Sequence, residues 1–284
     1  MFLNLAELLL LYVPLVIGVA LTFCVSKYPD MSVDGTFVLG AAIASLCSQW
    51  NLPLLSLLVV PICGAMAGAI TATIHFKLGI NRILSGIIVL LALYSINLFV
   101  IGGANFQFLI HPTVFTALHL PSSAQRLPAL VIIGLGCLLS VGFVLNSVFG
   151  LRLRAAGDNA PGFPELIRFP ALYKSGGMII GAALTAFSGA LVAQSQGFAD
   201  VNMGFGILLG TLAWLSLGFA IVTPRTPSLL LLSPVVGMIG FNAVLQMILR
   251  LGVSPFAVKI VTATALLIAL RLSPRSRKLL DQIF

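Results

Sequence analysis

Few side chains in this sequence can do chemistry, and their spacing fits no familiar catalytic set. Asp34, Asp158, Glu165 and Asp200 fall in polar segments between apolar runs, and Glu7 stands near the start of the first such run. A hydrolase would need a Ser/His/Asp grouping, a metalloenzyme a His–Glu motif, and a nucleotide hydrolase a G-x-x-x-x-G-K-[ST] loop, none of which the sequence contains. No catalytic residue, metal or cofactor is expected. His111 and His119 have no Cys or carboxylate near them and read as surface residues rather than ligands. Cys24, Cys47, Cys63 and Cys137 lie inside apolar runs without a Cys-x-x-Cys pair and read as small hydrophobes. Proton and sodium relays place ionisable groups inside spanning helices, so their near absence argues against an ion-coupled pump.

Amides remain. Asn97, Gln194, Gln196, Asn242 and Gln246 sit in or beside apolar runs, where an uncharged amide seeks either a protein partner or water. They are therefore the candidates to line a path for a polar solute. The competing reading for each is an interhelical hydrogen bond, which gains about 0.6 kcal/mol on average. Gln194 and Gln196, beside Asp200, form the leading pair.

The elements that must position these residues are membrane helices. Of the 284 residues, 60% are hydrophobic and 8% charged, against about 25% charged in a soluble domain, and the mean hydropathy is +1.15. A water-soluble fold is excluded, and no polar stretch is long enough for a second domain, so residues 1–284 read as one membrane domain. A crossing needs about 20 apolar residues. The runs that qualify are Leu5 to Val25, Leu54 to Ile74, Ile83 to Ile101, Ala129 to Gly150, Tyr173 to Ala193, Gly204 to Val222, Leu229 to Leu249 and Phe256 to Leu270. Thr36 to Ser48 is shorter and is followed by Gln49, Trp50, Asn51 and Pro53, so it reads as a re-entrant or broken helix, with a short ordinary crossing as the alternative. The expected fold is all-α: a polytopic bundle of about eight full crossings plus one or two re-entrant or broken helices.

Charge sets the orientation. The net charge of +8 comes from short segments with no groove-forming basic block, which points to topology and away from nucleic acid. His75 to Arg82, Leu151 to Lys174, Thr223 to Pro227 and Arg271 to Leu280 hold most of the Lys and Arg and are expected in the cytoplasm. Lys27 to Gly35 and Gln196 to Asn202 are poor in basic residues and are expected outside, which closes the alternation with both termini cytoplasmic. The first apolar run has no preceding Lys or Arg and is expected to stay as a helix rather than be removed as a signal peptide. Gly102 to Pro128, rich in aromatics and Pro, reads as an interfacial lid. Gly64 with Gly68, Gly177 with Gly181 and Gly206 with Gly210 have the small-xxx-small spacing of close helix contacts. A weak internal echo links Met31–Ala41 with Asp200–Thr211, each an Asp-containing turn leading into a Gly-marked helix.

With no ionisable relay, energy must come from outside the chain, unless it is a passive channel. The segment GLRLRAAGDNAPGFPELIRF, followed by SGALVAQSQGFADVNMGFG and preceded by NRILSGIIVLLALYSINLFVIGG, resembles the permease subunits of ABC importers in the branched-chain amino acid and ribose permease group. The likeness runs from about Met31 to Leu270, is strongest between Gly150 and Gly210, and lies closest to the subgroup for tryptophan or other amino-acid-like substrates. It implies a non-catalytic subunit served by a cytoplasmic ATP-binding subunit, a solute-binding protein and a second permease subunit, a homodimer being the simplest case. By the same resemblance, Arg154, Gly157, Asp158, Asn159, Pro164, Glu165 and Arg168 belong to the ATPase-coupling segment, with a coupling helix near Pro161 to Phe169. Asp34 and Asp200 would contact the binding protein or, alternatively, cap the helices that follow them. Two departures stand out: Pro164 and Pro170 bracket only Glu165 to Phe169, and Phe219 follows Gly218 where related permeases often carry Glu. An ABC permease for a sugar or nucleoside is the alternative within the resemblance, and a self-sufficient secondary carrier or channel and a membrane scaffold are the rival classes.

Overall fold

The computed structural model describes residues 2–120, 122–158, 170–223 and 226–250, with residues 260, 263, 264 and 267 beyond them. The described elements are α1 (Phe2–Ala20), continued by a π-helical turn (Leu21–Val25), α2 (Val33–Gln49), a 3-10 turn (Pro53–Leu55), α3 (Ser56–Phe76), α4 (Arg82–Ile101), β1 (Asn105–Gln107), α5 (Val114–Ala117), α6 (Ser123–Asn146), α7 (Val148–Gly157), α8 (Pro170–Gln196), β2 (Phe198–Asp200), α9 (Ile207–Ile221) and α10 (Pro227–Arg250). Among the described residues, six helical segments are long and apolar enough to cross a membrane, and α2 and α9 are shorter apolar helices. The seven expected crossings that fall on described residues each coincide with an observed helix. That over Ala129 to Gly150 starts earlier, at Ser123, and breaks at Ser147, where the Ser147 hydroxyl accepts from Gly150 N at 3.4 Å and opens α7. Most of the run from Phe256 to Leu270 lies outside the described residues.

Helices α1, α2 and α8 form the interior. In the most apolar window, 78% of the α1 segment is buried, against 17% of α6. On α3, Leu58, Ile62, Met66 and Ile70 recur at four-residue spacing and are exposed, as are Ile132, Leu135, Leu139 and Phe143 on α6. Such apolar outer faces suit lipid or another subunit. The interior contacts rest on small residues. A Cβ on Gly40 of α2 would run into the carbonyl oxygen of Ala186 of α8, and one on Gly189 of α8 into that of Phe37, so the two backbones touch. Gly64 and Gly68 seat α3 on Ala182 and Ala186, while Gly181 faces Thr22 and Gly18 of α1 and Gly177 faces Ser26 just beyond it. These two pairs pack as their spacing predicts. The third does not: Gly206 is left-handed, at φ 84°, and precedes α9, and neither it nor Gly210 has a close neighbour.

Three expectations about topology are corrected. First, Thr36 to Ser48 is neither re-entrant nor broken. It belongs to the unbroken α2, which starts against the middle of α4, Gly35 facing Leu90 and Leu93, and ends where the Ser48 hydroxyl donates to Pro112 O, beyond the far end of α4. Gln49 to Pro53 form the turn into α3, with Asn51 at φ 56°. Second, the segment Lys27 to Gly35 begins at the same end of the bundle as His75 to Arg82 and the α7 terminus. Lys27 Nζ pairs with Asp158 Oδ1 at 2.8 Å, and the Tyr28 hydroxyl donates to Arg82 O at 3.1 Å. Third, the chain start lies at the opposite end from that cluster, because Glu7 Oε1 accepts from Arg126 at 3.2 Å and from the Ser195 hydroxyl at 2.7 Å, near the start of α6 and the end of α8. Expected placement of the N-terminus with the basic segments is thereby overturned. The all-α expectation needs one small amendment, a two-stranded antiparallel ribbon pairing Asn105 with Asp200 and Gln107 with Phe198.

Candidate functional site

Two regions gather the residues that sequence reasoning singled out. The first is the elbow between α1 and α2, residues 26–32, which is held from three sides. The α4 start holds it through Arg82 Nη1, which donates to Lys27 O at 3.4 Å, and through Ser85 Oγ, 2.5 Å from the Tyr28 hydroxyl. The α7 end holds it through the Lys27–Asp158 pair, and through Gly157, where a Cβ would run into Val25 O. Gly177 of α8 fits against Ser26. Of the expected coupling residues, Gly157 is thus buried against the last turn of α1 and Asp158 is exposed but paired. Arg154 turns inward, its Nη2 donating to Leu145 O at 3.2 Å and its Nε to Gly150 O at 3.4 Å, so it ties the α6 end to α7. Asn159, Pro164, Glu165 and Arg168 lie outside the described residues, as does the expected coupling helix over Pro161 to Phe169.

Asp30, in the same elbow, was missed in the sequence. It is 1% exposed and accepts from Ser32 N at 2.8 Å and from the Ser32 hydroxyl at 2.7 Å. Burial pushes its carboxyl above the usual carboxylate range, and the two Ser32 hydrogen bonds pull against that shift. Its sequence signal was the spacing Asp30-x-Ser32, which suits a side chain folding back on its own backbone. Tyr28, alongside, is pushed up to about 12 chiefly by burial.

The second region is a cavity of about 270 Å³ between α2, α4 and the turn from β2 into α9, lined by Asp34, Gly35, Val38, Leu90, Tyr94, Asn97 and Phe205 among others. Asn97 is 1% exposed; its Nδ2 donates to Gly35 O at 3.0 Å, and its Oδ1 is buried with no hydrogen-bond partner. Asp34 is half-buried and does not cap its own helix. Its Oδ1 accepts from Leu208 N at 2.8 Å and its Oδ2 from Gly206 N at 3.0 Å, so it caps α9 from α2, where the helix dipole favours an anion. The two echo segments, Met31–Ala41 and Asp200–Thr211, therefore lie against each other.

The other path candidates are not brought to this cavity. Gln194 is buried and fully used: its Oε1 accepts from Val114 N at 2.6 Å and its Nε2 donates to Ser56 Oγ at 3.2 Å, pinning α5 and the start of α3 to α8. That is the hydrogen-bonding alternative, realised. Gln196 is exposed at the α8 end, Asn242 donates to Met238 O of its own helix at 2.9 Å, and Gln246 is half-buried on α10. Asp200 accepts from Asn202 N at 2.7 Å and shapes the turn after β2. Residues 102–120 make a cap of β1 and α5 rather than a crossing, with His111 stacked on Phe106 and His119 exposed, and the rest of the expected lid, from Ser123, belongs to α6. Among the described residues, no three His, Cys, Asp or Glu side chains group as a metal site.

The structure is a tight apolar bundle with a basic end gripping the end of α7, and comparison with known proteins gives its family. The model of the branched-chain amino acid transport system permease component matches residues 1–270. The chain belongs to that family. It is a multi-pass permease of an ABC transporter in the cell inner membrane, and membership implies a partner ATP-binding subunit. A tyrosine transport system permease protein of Clostridioides difficile is 30% identical over 254 residues, covering 88% of this chain and 84% of that protein. An uncharacterized protein of Rickettsia prowazekii is 30% identical over 265 residues, covering 92% and 93%. No solved structure matches significantly.

Proposed function

We propose that this permease is the membrane subunit of a bacterial ABC importer that takes up an amino acid or a related small polar compound. The observation that carries the reading is the grip of the α1–α2 elbow on Gly157 and Asp158, since a motor pulling on the segment after α7 would act directly on the interior helices α1 and α2. An ATP-binding subunit docks on residues 151–174, with Asn159, Pro164, Glu165 and Arg168 at the contact. A solute-binding protein delivers ligand at the other end, near Gln196 and Asp200, and a second copy of the chain completes the path. The chain itself hydrolyses nothing. Support for an amino acid as solute comes from the tyrosine permease relative. The end carrying Lys27, Lys77, Arg82 and Arg154 faces the cytoplasm by the distribution of basic residues, which leaves the N-terminus outside.

The test is access to Asp158→Cys by a membrane-impermeant maleimide, together with cross-linking from that position to the ATP-binding subunit. Labelling in inverted vesicles only, and a cross-link to the ATP-binding subunit, are expected. Labelling from outside intact cells, or a failure of the ATP-binding subunit to co-purify, contradicts the proposal.

A further inference from the structure

The α2–α4–α9 cavity is polarised in a way that names the part of a solute it would hold. Two of its polar lining groups are strong acceptors: the Asp34 carboxylate, whose two hydrogen bonds leave lone pairs over, and Asn97 Oδ1, which is buried and has no partner; the Tyr94 hydroxyl and the Asn202 amide line it as well. An orphaned buried acceptor is costly, so a ligand that donates to it recovers what the empty cavity forfeits. Around these two acceptors the wall is apolar and aromatic, made by Val38, Leu90, Leu91, Tyr94 and Phe205. The volume of about 270 Å³ lies just under the roughly 300 Å³ at which small-molecule pockets begin. That size suits a solute no larger than a single amino acid.

We propose that this cavity is a solute-binding station within the permease itself, in which Asn97 Oδ1 and Asp34 accept hydrogen bonds from a primary ammonium group while Tyr94, Phe205 and the leucines of α4 hold an apolar or aromatic side chain. The proposal rests on the amino-acid reading above and deepens it, because it assigns which end of the amino acid the membrane subunit reads. Asp34 and Asn97 Oδ1 complement the ammonium; neither can donate to the carboxylate, which the charge of Asp34 disfavours. Sugars lack the charge that Asp34 complements.

The complex of permease and ATP-binding subunit, without binding protein, carries the test. Leu91 is exposed at the cavity mouth, so Leu91→Cys reports occupancy by its rate of reaction with a maleimide, read above the background of the parent chain. L-Phenylalanine and phenethylamine are expected to slow labelling by about threefold when present at twice their Kd, since protection scales as one plus the ratio of free ligand to Kd. 3-Phenylpropionate, which keeps the ring and carboxylate but lacks the ammonium, is expected to protect less than either. Asn97→Leu should narrow the difference between the amine and the acid, with Asp34 keeping part of it. Equal protection by amine and acid, or none by any of the three, overturns the station. Because the ligand series uses Asn97 intact, misfolding of the Asn97 variant leaves the proposal falsifiable. ATP-driven amino-acid uptake by the complete transporter is measured separately: if it occurs while the cavity shows no ammonium preference, the station fails and the importer stands.

Discussion

Replacing Gly157 with Ala adds one methyl group where the end of α7 meets the π-helical turn that continues α1. The new Cβ would collide with a backbone oxygen, Val25 O, which cannot rotate away as a flexible side-chain tip would. Restoring contact requires α7 and the π-helical turn to part by about 1 Å, and overpacking of this kind costs about 1–3 kcal/mol. For a chain of this size that corresponds to a fall in Tm on the order of 2–10 °C. The neighbouring Lys27–Asp158 pair, now 2.8 Å, would stretch by about the same 1 Å and pass to the edge of ion-pair range. Asp158 is 67% exposed, so the pair itself contributes about 1 kcal/mol or less, and Lys27→Ala supplies the control. Thermal unfolding in detergent and uptake per ATP hydrolysed in proteoliposomes form the assay. Gly157→Ala should lower Tm by more than twice the change seen for Lys27→Ala and reduce uptake per ATP. A Gly157→Ala transporter with parental Tm and parental coupling would refute the claim that this seat transmits force.

Gly40→Ala should be worse tolerated than Gly210→Ala, because the first meets the α8 backbone and the second nothing, and relative expression of folded protein in detergent checks the order. Gln194→Leu leaves Val114 N without its acceptor and should cost about 1–3 kcal/mol, read as a lower Tm, whereas Gln196→Leu on the exposed α8 end should fall within about 0.5 kcal/mol of parent. Asp30 holds its proton to higher pH when folded than when unfolded, so its contribution to stability is fully present below the unfolded value near 3.8 and is lost as pH rises through the raised folded value. Asp30→Asn should therefore flatten the fall in Tm on going from pH 4 towards neutrality, and an unchanged pH profile would count against a raised Asp30 carboxyl.

Long crossings were legible because their signal is local. Twenty apolar residues in a row suffice, and Arg82–Ile101 and Ser56–Phe76 lie within two residues of the expected runs at both ends. Helix α2 was misread because the length rule assumes lipid on all sides. Surrounded by α3, α4 and α8, its 17 residues, about 25 Å of helix at about 1.5 Å each, need no such length, and the Lys27–Tyr28 elbow completes the traverse. The orientation error had a long-range cause. In sequence Lys27 stands as a lone base near Asp34, but its partner is Asp158, and Asp34 serves Gly206 and Leu208, far along the sequence. Glu7 likewise finds Arg126. Amide placement was half legible: residue type marked Asn97 and Gln194 as buried polar groups, but only the fold separates a satisfied amide from one whose oxygen is left without a partner.

The most direct test of the account is uptake of a labelled amino acid into liposomes that hold this permease with its ATP-binding subunit, with and without ATP and the solute-binding protein. Accumulation against a gradient only when all three proteins and ATP are present is the predicted result. Uphill uptake by the permease alone, or uptake indifferent to ATP, would contradict it.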